Sequence, residues 1–184
     1  MTTSAIPEDH LQLLRAAGVE TIQHDSHIPF LAHLAGVRRL LVEWKASQEL
    51  QNAGLFHSIY GTEFFDPELG GKTPSREKVQ SVIGERAERI AWLWCHTRRE
   101  TIPDSLAGGE PHTIENRNGS REPVTIDEAR DLAELWCADA VEQGHRLSKT
   151  ESDYSRGLVR VLSHVSNSAR AAVETMIEEI ESRG

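Results

Sequence analysis

The apolar positions between Pro29 and Lys45 constrain this chain most. Leu34, Val37, Leu40, Leu41 and Trp44 stand three or four residues apart, the period of one helix face. The same period returns at Leu50, Ala53 and Phe56. It returns again at Val79, Val82, Ile83, Ala87, Ile90, Leu93 and Trp94. Ser47 stands where it can cap the second of these helices, which is expected to reach Gly61. Thr73-Pro74 opens the third, expected as one long helix to about residue 97. A short helix over 7–17, with Pro7 in its first turn and Gly18 as its stop, precedes a polar loop over 19–28. Thr125 and Glu128 form a capping box for a helix from 126 to about 144. A last helical region spans about 150–182, with an interruption expected near Gly157 or at Ser166-Asn167. Residues 62–74 read as a Gly/Pro-rich connection. Only 98–124 breaks the pattern, where Asn118-Gly119 lies between two alternating stretches and signals a hairpin at about 110–124. The expectation is an all-α helical bundle over 1–184 as a single domain, with at most one small β-hairpin.

Charge and cysteine usage narrow the function. The formal net charge is −9, so the chain has no basic field for phosphate backbones or for an anionic membrane surface. No apolar run approaches the roughly 20 residues that span a bilayer, and the first ten residues do not read as a signal peptide. Cys95 and Cys137 each follow a tryptophan in an apolar segment and form no CxxC, so both read as buried free thiols in a reducing, cytoplasmic setting. The acidic C-terminal helix can pack on its own domain or on a second copy, which leaves a homodimer open.

Nine histidines is a high count, and two of them are placed for chemistry. His33 begins one helix and His57 ends the next, 24 residues on. Two antiparallel helices joined by a short turn bring such positions together. Asp139 lies in "LWCADAVEQ", on an amphipathic helix, where an ionised carboxylate near the core needs a partner. Two neutral imidazoles and a carboxylate suit manganese, iron or zinc. The plainer alternative pairs Asp139 with Arg89 or Arg146 and leaves each histidine simply hydrogen-bonded. His24 and His27, just before His33, lie on a loop able to offer a further ligand or a general acid–base. His96 is expected at the end of its helix, bonded to that terminus. Glu85 and Glu88 read as a salt-bridged face with Arg86 and Arg89, Glu88 also being a candidate support for the histidine pair.

The segments "HIPFLAHLAGVRRLL", "ELQNAGLFHS" and "CADAVEQ" together resemble the metal core of the HD-domain superfamily, in particular the alarmone hydrolases. The resemblance covers about residues 20–62 and 130–145 and implies an HD-domain-like bundle with His33, His57 and Asp139 as metal ligands. It also marks two departures. The family's aspartate beside the second histidine is Ser58 here, a weak neutral ligand that makes a second, bridged metal doubtful. The Glu-Asp pair that handles the attacking water is Gly61-Thr62, which leaves Glu63 as the carboxylate able to take over. Around His57, Tyr60 and Thr62 are expected to contact substrate or metal-bound water. A "HS-I-YGT" variant is also similar to a less characterised family of small helical proteins.

Three functions follow as expectations. The first is a divalent-metal-dependent hydrolase of a small molecule carrying a phosphate ester or a nucleotide-like group. The second is a mononuclear non-haem iron(II) oxygenase, which uses two histidines and one carboxylate. The third is a non-catalytic small-molecule-binding protein on a degenerate fold.

Overall fold

The computed structural model describes residues 5–24, 28–67, 69–144 and 152–182. The chain divides into two compact units, residues 1–96 and 97–184. It is all-α, with nine α-helices and two small antiparallel strand pairs among the described residues.

In the first unit, α1 (Glu8–Ala16) follows Pro7 and ends at Gly18, whose φ of 84° admits glycine easily. A single 3-10 turn and strand β1 (Gln23–His24) follow, and β1 pairs with β2 (Ile28–Pro29) where a loop is expected. Helix α2 (Phe30–Glu43) and helix α3 (Gln48–Phe56) form the heart of the unit. The Ser47 hydroxyl accepts from Leu50 N–H, as the sequence predicts for a cap. Helix α3 stops at Phe56, and Gly61 falls in the turn beyond it rather than in the helix.

The expected long helix over 73–97 is two helices. Ser75 caps α4 (Arg76–Ile83), and Gly84, at φ 90° and ψ 154°, ends it before α5 (Glu85–His96). That backbone region is open almost solely to glycine. Phe30, Leu34, Val37, Leu41, Phe56, Ile90 and Trp94 are fully buried, so α2, α3 and α5 supply the core.

In the second unit, a 3-10 turn over Arg99–Thr101 leads into α6 (Ile102–Ala107), a short helix with Pro103 near its start that the sequence pattern does not signal. The hairpin forms as expected, β3 (Thr113–Glu115) against β4 (Arg121–Pro123). Helix α7 (Ile126–Gln143) carries the full capping box of Thr125 and Glu128. Helices α8 (Ser152–Val161) and α9 (Asn167–Ser182) follow, separated by a 3-10 turn and a break at 165–166. Gly157 lies inside α8 rather than interrupting it. An added Cβ there would come 2.7 Å from Trp136, so glycine permits the close packing of α8 on α7. Cys95 and Cys137 are free and buried, and burial raises the Cys137 thiol above its ordinary range.

Candidate metal centre

The close crossing of α2 and α3 places the histidine pair. Val37 and Leu41 lie one and two turns after His33 on the same face of α2. Gly54, opposite them on α3, leaves room for the helices to touch. A Cβ at Gly54 would come 2.4 Å from Leu41 Cδ1 and 3.5 Å from Val37 Cγ1. His57 follows Gly54 by three residues and sits at the C-terminal cap of α3 with helical φ and ψ. Antiparallel running then sets it beside His33.

Both imidazoles are buried, His33 at 1% and His57 at 0% exposure. Their Nε2 atoms are 3.1 Å apart, with the rings tilted at 67°. His57 Nδ1 lies 2.7 Å from the Gly54 carbonyl, which can only accept, so Nδ1 carries the proton. In neutral His57 the lone pair is therefore on Nε2, the atom that faces His33. The Trp94 ring meets His57 edge-on at 6.2 Å, and Cys95 Sγ donates to the His57 carbonyl. Two imidazole nitrogens bound to one ion at about 2.0–2.1 Å, with an angle of about 90–110°, stand about 2.9–3.4 Å apart. The observed separation falls within that bite.

The segment after His57 is engaged locally. Ser58 is buried, and its carbonyl accepts from Gly61 N–H. Gly61 has φ 77°, and an added Cβ would meet the Phe65 carbonyl at 3.5 Å. The Thr62 hydroxyl accepts from the N–H groups of Phe64 and Phe65, and Thr62 N–H donates to the Phe65 carbonyl at 2.6 Å. The Tyr60 hydroxyl donates to Glu88 Oε1 at 3.1 Å; burial first, then the Glu88 charge, raises its pKa. Glu63 is half-buried.

Glu88 is itself fully buried and clamped. Arg76 donates to both its oxygens at 2.7 Å, and Gln80 donates to Oε2 at 3.0 Å. The Arg76 guanidinium also lies over the Trp92 ring at 4.6 Å. Glu85 is exposed. His96 Nδ1 donates to the Trp92 carbonyl, the helix-terminal bond expected of it. His27 and His145 lie outside the described residues, as does the side chain of His24.

In the second unit Asp139 lies on α7 and is 2% exposed. Of the two arginines that the sequence offers it, Arg146 lies outside the described residues. Arg99 Nη1 donates to Oδ2 at 3.1 Å, and Gln143, one turn on, donates to Oδ1 at 2.9 Å. Forty residues separate Arg99 from Asp139, so no local pattern signals the pair.

A family model described as a domain of unknown function (DUF6817) matches residues 13–99, the segment that holds both histidines. No curated protein sequence matches the chain. A solved structure described as a metazoan orthologue of SpoT that hydrolyses ppGpp superposes with a TM-score of 0.60. It is 12% identical, and the match covers 96% of this chain and 98% of that one. The chain therefore has an HD-domain-like helical fold.

Proposed function

We propose that this protein is a metal-dependent hydrolase of a small molecule, with a divalent cation held by His33, His57 and Asp139. The observation that carries the reading is the pair of buried Nε2 atoms 3.1 Å apart, one with its lone pair fixed toward the other by the bond to Gly54. Two neutral donors so placed have the spacing for one ion. Asp139 enters on donor chemistry: His33, His57 and Asp139, all buried, are the one His/Asp group among the described residues that can hold a metal ion. The reading takes residues 1–184 as one domain, supported by the chain-long match to the hydrolase structure.

When bound, a divalent cation supplies Lewis acidity, polarising a phosphoryl oxygen or lowering the pKa of a bound water. This chain's residues do the rest. Gly54 fixes the tautomer of His57, and Trp94 and Cys95 hold its ring and backbone. Gln143 orients the Asp139 carboxylate. Ser58 in place of a second acid leaves the centre with one charged ligand, which favours a single ion. The hydrolytic reading rests on the likeness to the ppGpp-hydrolysing protein, and manganese, iron or zinc all suit the donors.

The test is metal analysis of purified protein, with phosphate release from a panel of nucleotides in Mn²⁺. His33→Ala and His57→Ala are expected to lose both bound metal and activity while remaining helical by circular dichroism. Unchanged metal content in both variants would sink the reading. Oxygen uptake with iron(II) but no phosphate release would transfer the same donors to an oxygenase.

A further inference from the structure

We propose that Arg99 is the cation that Asp139 carries in the absence of metal, and that this arginine holds the metal affinity of the centre low. The inference rests on the metal centre proposed above and adds a role for a residue outside its ligand set.

A buried carboxylate needs a compensating charge or a dense set of donors. Asp139 has both: Arg99 on Oδ2 and Gln143 on Oδ1, with Arg99 only 7% exposed. The two supports act in opposite directions on a metal. Gln143 is neutral and fixes the carboxylate's orientation at no electrostatic cost. Arg99 is a permanent cation, since a guanidinium does not deprotonate in proteins. An ion bound to the carboxylate at about 2.0–2.2 Å has that positive charge as a near neighbour, and the repulsion is not relieved by losing a proton.

Arg99 is also not placed to swing clear. It begins a 3-10 turn whose flanks are pinned to the hairpin. Arg98 N–H donates to the Glu115 carbonyl at 2.8 Å, and its guanidinium pairs with Glu115 and Glu100. Thr101 Oγ1 donates to the Arg98 carbonyl and accepts from Glu115 N–H. The turn holds Arg99 where its guanidinium meets Asp139 of α7. The metal-free protein is thereby charge-compensated, and an incoming divalent ion must share Asp139 with a resident cation.

Opposing this is the support Arg99 gives to the carboxylate's orientation. Removing such an outer hydrogen bond typically weakens metal binding about 10–100-fold. Repulsion between a divalent ion and a fixed monovalent cation a few ångströms away, in a buried setting, is the larger effect. The net sign is therefore tightening when Arg99 is removed.

Calorimetric titration of Mn²⁺ into wild type, Arg99→Met, Arg99→Lys and His57→Ala tests this. Arg99→Met is expected to bind Mn²⁺ about tenfold tighter or more than wild type, and Arg99→Lys, which keeps the charge, to stay near wild type. Without metal, Arg99→Met should melt below wild type, and Mn²⁺ should raise its melting temperature by more. Structural damage weakens binding, so tightening is not its signature. Arg99→Gln, which keeps a donor for Oδ2 without the charge, stands in should Arg99→Met not fold. Equal or weaker Mn²⁺ binding in the neutral variants, with binding abolished in His57→Ala, overturns the role of Arg99 alone. Equal Mn²⁺ binding in wild type and His57→Ala overturns the centre, and the role of Arg99 with it.

Discussion

Glu88 shows how much one buried side chain can organise. Burial alone pushes its carboxyl up, but the hydrogen bonds from Arg76, Gln80 and Tyr60 outweigh that, and its pKa lies below the ordinary 4.5. The unfolded chain therefore binds a proton at Glu88 at a higher pH than the folded one. The stabilisation is complete above about pH 4.5 and is lost as pH falls through the lower folded value. Glu88→Gln is expected to cost about 2 kcal/mol at pH 7, the scale of hydrogen bonds to a charged group, since half-exposed Arg76 can turn to water. Urea unfolding at pH 7, 5, 4 and 3 checks it: wild type loses stability toward pH 3, and the variant loses less. Equal slopes would remove Glu88 as the titrating group. Tyr60→Phe breaks only the bond to Glu88 and is expected to cost about 1 kcal/mol while leaving metal retention unchanged. Loss of metal in that variant would tie Tyr60 to the centre instead.

Two glycines set the relations between helices in the first unit. Gly54 lets α2 and α3 approach, and Gly54→Val would drive branched methyl groups into Leu41 and Val37. The expected cost is about 1–3 kcal/mol, with Mn²⁺ binding weakened because the two Nε2 atoms move apart. Thermal melts with and without Mn²⁺ read both effects. Gly84 acts through backbone alone: nothing lies within 4 Å of a Cβ built there, yet its φ of 90° is one that L-residues avoid. Gly84→Ala is expected to cost about 1–3 kcal/mol, and no loss on chemical denaturation would show that the break between α4 and α5 is not strained by a side chain. These elements also mark what a sequence discloses. Helices α2, α3 and α7 and the β3–β4 hairpin were legible because periodicity, Ser47, the Thr125–Glu128 box and Asn118-Gly119 are local signals. The break at Gly84 was not, since a lone glycine inside a continuing apolar period reads as tolerated. Helix α6 is too short to show a period. The histidine pair was legible from the ends of two consecutive helices, whereas the Arg99–Asp139 bond joins residues 40 apart and exists only in the folded unit.

At the scale of the whole chain, the formal charge of −9 favours cations over anions near the surface. The described residues hold no helix long and apolar enough to cross a membrane. A ligand that binds the folded chain alone stabilises it by mass action, about 2.7 kcal/mol at a hundredfold excess over its dissociation constant. For a chain of this length that raises the melting temperature by about 5–10 °C. Mn²⁺ added to chelator-stripped protein is therefore expected to give a saturable shift of that size, reversed by chelator. Non-specific binding to surface carboxylates would instead give a shift that keeps rising with concentration and falls with salt. Removing a single ligand separates the cases. His57→Ala should abolish the saturable shift, because it takes away the donor whose lone pair Gly54 orients. Asp139→Asn should reduce it, because it leaves a neutral oxygen in place of the charge. Should Asp139→Asn keep the full shift while His57→Ala loses it, the third ligand is another residue and the two histidines remain the anchor.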